Sequence, residues 1–236
     1  MQNILEVKNL TVSFGEERVI DNLSFNLKKG ENLVVVGPNG AGKTVLLKTL
    51  IGMLEFTGEI KWEKNVKIGY VPQKILPEKN IPLSIEEFFN FKSCLSLDRK
   101  ITPEQIRKAL QSVGISDFSI LKKKIGVISS GQLQRILIAW SLIGKPEVLL
   151  FDEPMAGIDI GGEETIYNLL SQIDKEKHLT MVMITHDLSV VYKFADSVLC
   201  LNKSAICYGA PQEALTPEKL SQLYGGEMKV YSHAHL

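Results

Sequence analysis

The segment GPNGAGKT, Gly37 to Thr44, sets glycines, a lysine and a hydroxyl residue where a chain can wrap a phosphate group. Gly37, Gly40 and Gly42 let the backbone turn tightly and bring its N–H groups against anionic oxygens. Pro38, Asn39 and Ala41 complete the loop. Lys43 can reach the terminal phosphates of a nucleotide, and Thr44 offers its hydroxyl to Mg²⁺. Such a loop needs a strand before it and a helix after it, whose N-terminal end adds positive potential. The chain supplies both: VVV runs into Gly37, and VLLKTLIGM follows Thr44.

A second constellation lies in VLLFDEP, Val148 to Pro154. An apolar strand ending in paired carboxylates puts Asp152 at a sheet edge, where it can hold a metal through water. Glu153, its neighbour, can polarise an attacking water, a role typically worth about 10² to 10⁴ in rate. Three shorter signals accompany these: GYVPQ ending at Gln73, ISSGQ from Ile128 to Gln132, and His186 after the apolar run MVMIT.

In this order the motifs resemble the nucleotide-binding subunit of an ATP-binding-cassette (ABC) transporter, over nearly the whole chain from the first strand to about Tyr224. The resemblance implies ATP and Mg²⁺ as ligands. It implies that Phe14, in TVSFG, stacks on adenine, and that Gln73 contacts the metal and the nucleophilic water and senses the transporter interface. His186 matches a histidine that contacts the γ-phosphate. Ser129, Gly131 and Gln132 match a signature that grips the γ-phosphate bound to the opposite subunit, so a homodimer around two ATP is implied. Asp159, in MAGID, matches the aspartate linking the two sites. Two positions depart from the pattern. Ser130 stands where the family usually has glycine, which puts a Cβ where backbone approaches phosphate. Val45 replaces a second hydroxyl residue, with little consequence because Thr44 already supplies the metal ligand.

The short stretch between Gly58 and Gln73, the segment IPLSIEEFF, and the tail LCLNKSAICYGAPQEALTPEKLSQLYG are similar to the zinc and manganese importer branch. That branch implies integral-membrane permease subunits, indirectly a solute-binding protein, and a peripheral place on the cytoplasmic face of the cell membrane. Other readings are an ABC ATPase for another cargo, a soluble one such as an iron–sulfur assembly factor, or a nucleotide-dependent regulator with little turnover. His233 and His235 read as incidental residues of a terminus, too few for a closed metal site.

The elements that must carry these residues follow from period and punctuation. ILEV, LTVSF, LSFNL and NLVVV read as strands, as does TGEIKWEKNVKIGYVPQ with charged turns. IEEFFNFKSCL and PEQIRKALQSVGI are helix-like, with Pro103 suited to a first turn. Ile136, Ala139, Trp140 and Ile143 share one helical face, as do Ile166, Leu169, Leu170 and Ile173. Strands alternating with helices predict an α/β fold of the P-loop NTPase, ABC-ATPase type: a mainly parallel sheet core, an antiparallel β part and an inserted helical lobe. The expected organisation is one domain over residues 1–236, with a core lobe at 1–83 and 147–236 and a helical lobe at 84–146.

With 236 residues, 44% hydrophobic, the chain can build one substantial core plus a lobe. Lys+Arg and Asp+Glu are both 27, so zero net charge offers no overall pull toward nucleic acid, and no nucleic-acid partner is expected. Lys122 to Lys124 read as a solvated loop or helix end. The three cysteines lack metal-type spacing and suggest no disulfide framework, so reduced thiols are expected. No signal pattern and no apolar run near the roughly 18 residues of a membrane span is read, so a membrane role would work through a partner.

Overall fold

The computed structural model describes residues 2–73, 81–95, 101–154 and 160–225. In chain order the elements are β1 (Asn3–Phe14), β2 (Glu17–Lys28), β3 (Asn32–Val36), α1 (Lys43–Leu50), β4 (Thr57–Trp62), β5 (Ile68–Val71), α2 (Ile85–Leu95), α3 (Pro103–Ser112) and α4 (Ser130–Leu142). They continue with β6 (Val148–Asp152), α5 (Ile160–Lys177), β7 (Thr180–Ile184), α6 (Leu188–Phe194), β8 (Ser197–Asn202), β9 (Ser204–Gly209), α7 (Pro211–Ala214) and α8 (Pro217–Tyr224). Two compact units result, Met1–Val66 with Thr180–Leu236, and Lys67–Leu179.

In the first unit an antiparallel sheet has the order β2-β1-β4. The expected ILEV and LTVSF strands are one continuous β1. Asn9, with φ 50, and a register shift between Val7 and Leu10 bend the strand without ending it. The same unit holds β3 between β7 and β8, both parallel to it, with β9 antiparallel on β8. Leu33 to Val36 and Met181 to Ile184 are at most 3% exposed, as strands covered on both faces must be. This unit also corrects the cysteine reading. Cys200 and Cys207 stand opposite each other in the β8–β9 pairing, Cα atoms 4.8 Å apart, and are joined in a disulfide. Only the hairpin, which spacing alone does not reveal, makes them neighbours.

In the second unit β5 and β6 pair in parallel. Thr102 caps α3 with a capping box and Pro103 opens its first turn, as expected. Ile166, Leu169, Leu170 and Ile173 are buried along α5. On α4, Ile136 and Ala139 are buried as the period predicts, but so are Leu133, Leu137, Ile138 and Leu142, so the helix is enclosed well beyond one face. Lys122 to Lys124 are exposed.

Lys92 ties α2 to the end of α4. Its Nζ donates to the Trp140 carbonyl at 2.5 Å and lies 4.2 Å from the Trp140 ring centre. These contacts favour the ammonium, but burial outweighs them and pushes Lys92 from its ordinary 10.5 down to about 8. Between those values the unfolded chain binds the proton and the folded chain does not, so stability rises with pH across this window. The stability difference between wild type and Lys92→Met, measured by urea unfolding, should shift toward wild type from pH 8 to pH 10.5. A pH-independent difference would contradict this.

Candidate active site

In the first unit, β3 delivers the chain into the phosphate loop, and the helix start at Lys43 closes it. The loop's backbone is pressed against its surroundings at two glycines. A Cβ on Gly37 would stand 2.0 Å from the Leu201 carbonyl oxygen, and one on Gly42, which has φ 95, would stand 2.9 Å from the Val19 carbonyl oxygen. Asn39 and Gly40 form the exposed turn between them. The Ala41 N–H donates to the Pro38 carbonyl, and the Ala41 carbonyl accepts from the Lys203 N–H in the β8–β9 turn. Lys43, only 7% exposed, curls back so that Nζ donates to the Gly37 and Pro38 carbonyls at 2.8 and 2.9 Å. Among the described residues, the Gly40 and Gly42 amides donate to no backbone carbonyl. An ammonium and open main-chain donors at a helix start are the donor set an anionic phosphate requires.

His186 belongs to the same unit. Val35 is level with Ile184 in the β3–β7 pair, so continuing that register brings Gly37 level with His186 at the carboxyl ends of both strands. Thr185 is buried, and its Oγ1 accepts from the Asp187 N–H. Asp187 in turn caps α6. The backbone on either side of His186 is thus held, while its side chain is exposed. Phe14 ends β1 with 52% of its surface exposed, which excludes an ordinary core aromatic.

In the second unit the β5–β6 register builds the acidic cluster. Tyr70 is level with Leu150, and Asp152, two residues further along β6, shares that face. The Tyr70 hydroxyl donates to Asp152 Oδ2 at 3.2 Å. Burial first, then the adjacent Asp152 carboxylate, pushes the phenol far above its ordinary value, so it remains a donor. Beyond the strand ends, Gln73 Nε2 donates to Glu153 Oε2 at 2.5 Å. Glu153 has φ 46, a left-handed conformation unusual for a glutamate. Asp152 is 2% exposed, whereas Gln73 is exposed. The buried Asp152 carboxylate and the Gln73 amide oxygen are hard oxygen donors of the kind Mg²⁺ takes.

Ser129 is the N-cap of α4: its Oγ accepts from the Gln132 N–H, and Gln132 Oε1 accepts from the Ser129 N–H. This capping box explains both residues locally, whatever else they touch. Gly131 has open space where a Cβ would stand. Ser130, the first helical residue, is exposed, so the chain itself accommodates its side chain. Asp159, His233 and His235 lie outside the described residues.

The model of the family described as ABC transporter matches residues 20–156. The zinc import ATP-binding protein ZnuC of Wigglesworthia glossinidia brevipalpis is 35% identical over 240 residues, with all of both chains covered. A Thermotoga maritima protein named "Probable metal transport system ATP-binding protein" is 37% identical over 224 residues, covering 94% of this chain and 90% of its own. Among solved structures, an ABC transporter in an inward-facing conformation has a TM-score of 0.83 at 28% identity, covering 94% of this chain and 89% of that one. The chain belongs to the ABC transporter family. It is an ATP-binding subunit of that family and an ATPase, and its parallel strands, antiparallel sheet and helices are the α/β fold expected of one.

Sequence reasoning missed three residues of this ABC subunit. Tyr70 could have been found, because a tyrosine three residues before Gln73 on a strand adjoining the acidic one can reach its carboxylate. Leu201 and Lys203 act through backbone atoms and left no signal. The packing yields a ranking of variants. Gly37→Ala should lose nucleotide binding and about 3 kcal/mol or more of stability, since backbone must move. Gly40→Ala, with open space around it but φ 80, should lose only about 1 kcal/mol. Urea unfolding and binding of a fluorescent ATP analogue check the order; equal losses would contradict the packing argument.

Proposed function

We propose that this chain is the ATP-hydrolysing subunit of an ABC importer for a divalent metal, zinc or manganese. The observation that carries the cargo reading is similarity along the whole chain to a protein named for zinc import. Among the described residues no helix is long and apolar enough to cross a membrane, so cargo would pass through separate permease subunits. The chain would sit at the cytoplasmic face beside them, as one domain with a core lobe (1–83 and 147–236) and a helical lobe (84–146).

In this reading the loop amides from Gly37 to Gly42 and the Lys43 ammonium bind the β- and γ-phosphates, with Phe14 against the adenine. Lys43 would leave the Gly37 and Pro38 carbonyls for phosphate oxygens, a stronger, charge-assisted partner. Thr44, Asp152 and Gln73 would hold Mg²⁺, which when bound supplies positive charge beside the phosphate oxygens. Glu153 accepts the proton of the attacking water, and the Gln73 amide orients its carboxylate meanwhile. His186 steadies the γ-phosphate. Ser129, Gly131 and Gln132, at the α4 start, serve the nucleotide of a second copy, and Asp159 links the two sites. ATP thereby closes a homodimer and hydrolysis reopens it.

Glu153→Gln should retain ATP binding and lose about 10² to 10⁴ in turnover. Native cells carrying it in metal-limited medium should show a selective fall in zinc or manganese by elemental analysis, restored by wild type. Unchanged metal content despite lost turnover, with no compensating importer, would discard the metal cargo and leave an ABC ATPase with another one.

A further inference from the structure

We propose that Cys200 and Cys207 are a redox-sensitive pair coupled to the phosphate loop: joined, they leave the loop shaped for nucleotide, and as two thiols they disturb it. The inference rests on the reading of Gly37–Thr44 as the nucleotide site and adds a control on that site.

The observations all lie within the first unit. Cys200 and Cys207 face each other across the β8–β9 pair, Cα atoms 4.8 Å apart, and are joined in a disulfide. Both are enclosed, at 0% and 4% exposure. On its other side Cys200 is level with Val36 of β3, the residue before Gly37. The carbonyl of the next residue, Leu201, stands 2.0 Å from where a Gly37 Cβ would be. The β8–β9 register shifts directly after Cys200: the following pair is Leu201 with Ala205, which leaves Ile206 as an extra residue on β9. This bulge lies between the disulfide and the turn whose Lys203 N–H donates to the Ala41 carbonyl.

Two thiols in van der Waals contact stand much further apart than two bonded sulfurs. Close-packed interiors hold few voids to take up that difference, so in this enclosed site the strands must give. The bulge is where the ladder is already broken. Leu201 has no slack against Gly37, so a displacement there passes into the loop. The disulfide is not the loop's sole support, because β3 and Lys203 hold it in both states; reduction changes the shape of the hairpin that bears on it. On the cytoplasmic side, where the proposed function puts this chain, disulfides are typically transient or redox-sensing. In the exchange, a thiolate of a dithiol reductant attacks one sulfur, the S–S bond breaks, and the other cysteine leaves as thiolate and takes up a proton. The second thiol of the reductant then releases the first cysteine. Two electrons thus pass to the pair, and the reductant ends as a disulfide. β9 is the end strand of its sheet, and local opening of that edge admits the reagent.

The test uses full-length Cys94→Ser, in which the pair are the only cysteines. Their state is set in glutathione buffers of graded reduced-to-oxidised ratio and counted by alkylation and mass spectrometry, beside binding of a fluorescent ATP analogue in EDTA. Reduction should weaken binding about fivefold or more, the lower end of couplings between sites, and reoxidation should restore it. By linkage, ATP should shift the thiol–disulfide equilibrium toward the disulfide by the same factor. Cys207→Ala should be indifferent to the buffer; a retained response would overturn the assignment to this pair. Equal affinity in both confirmed states would also overturn the proposal, as would a pair that stays reduced in oxidised glutathione. Loss of the folded circular dichroism signal on reduction would overturn it too, since the bond would then be a structural staple. Absence of analogue binding in both states would instead overturn the nucleotide reading of the loop.

Discussion

The closest main-chain approach at the phosphate loop is the constraint on which that half of the chemistry depends. Gly37 lies so near the Leu201 carbonyl that no side chain fits between them. The parallel β3–β8 register causes this, because Val36 level with Cys200 puts Gly37 level with Leu201. The next turn continues the support: the Lys203 N–H donates to the Ala41 carbonyl, and the Lys203 carbonyl accepts from the Asp21 N–H. The loop is therefore braced through backbone by β8, by the β8–β9 turn and by β2. A loop shaped before phosphate arrives does not have to be ordered by it, which favours binding.

Lys43 shows the same economy. A nearly buried ammonium needs acceptors at all times. Here it takes them from the loop's own carbonyls, which shapes the loop and keeps the cation poised. In the second unit the β5–β6 register plays the part that β3–β8 plays in the first. It aligns Tyr70 with the face of Asp152 and carries Gln73 out level with Glu153. Glu153 keeps a left-handed backbone that costs on the order of 1–3 kcal/mol in a non-glycine residue. Such strain at a carboxylate bonded to an exposed glutamine is understandable if that carboxylate must be aimed.

Local features were legible before folding. The strand, glycine loop and helix of the phosphate site, the capped α3 with Pro103, and the inward stripe of α5 each depend on a few consecutive residues, and each is where the pattern put it. Features made by strands meeting across long separations were not legible. Neither the Cys200–Cys207 bond, nor the Leu201 carbonyl at Gly37, nor the Tyr70–Asp152 bond follows from spacing, because register is decided by tertiary pairing. Asn9 misled in the opposite sense, since a bend at a polar residue looked like a strand end. Site roles had a third origin: motif order suggested them for Phe14 and His186, while geometry supplies their exposure and the strand ends that carry them.

The central claim is that the Gly37–Thr44 loop recognises the outer phosphates of a nucleotide. Isothermal titration of the purified protein with ATP, ADP and AMP, with and without Mg²⁺, tests it most directly. The account predicts binding of ATP and ADP, strengthened by Mg²⁺, and little or none of AMP, whose single phosphate cannot reach Lys43. AMP binding as tightly as ATP would contradict it, placing recognition at the nucleoside instead of the loop.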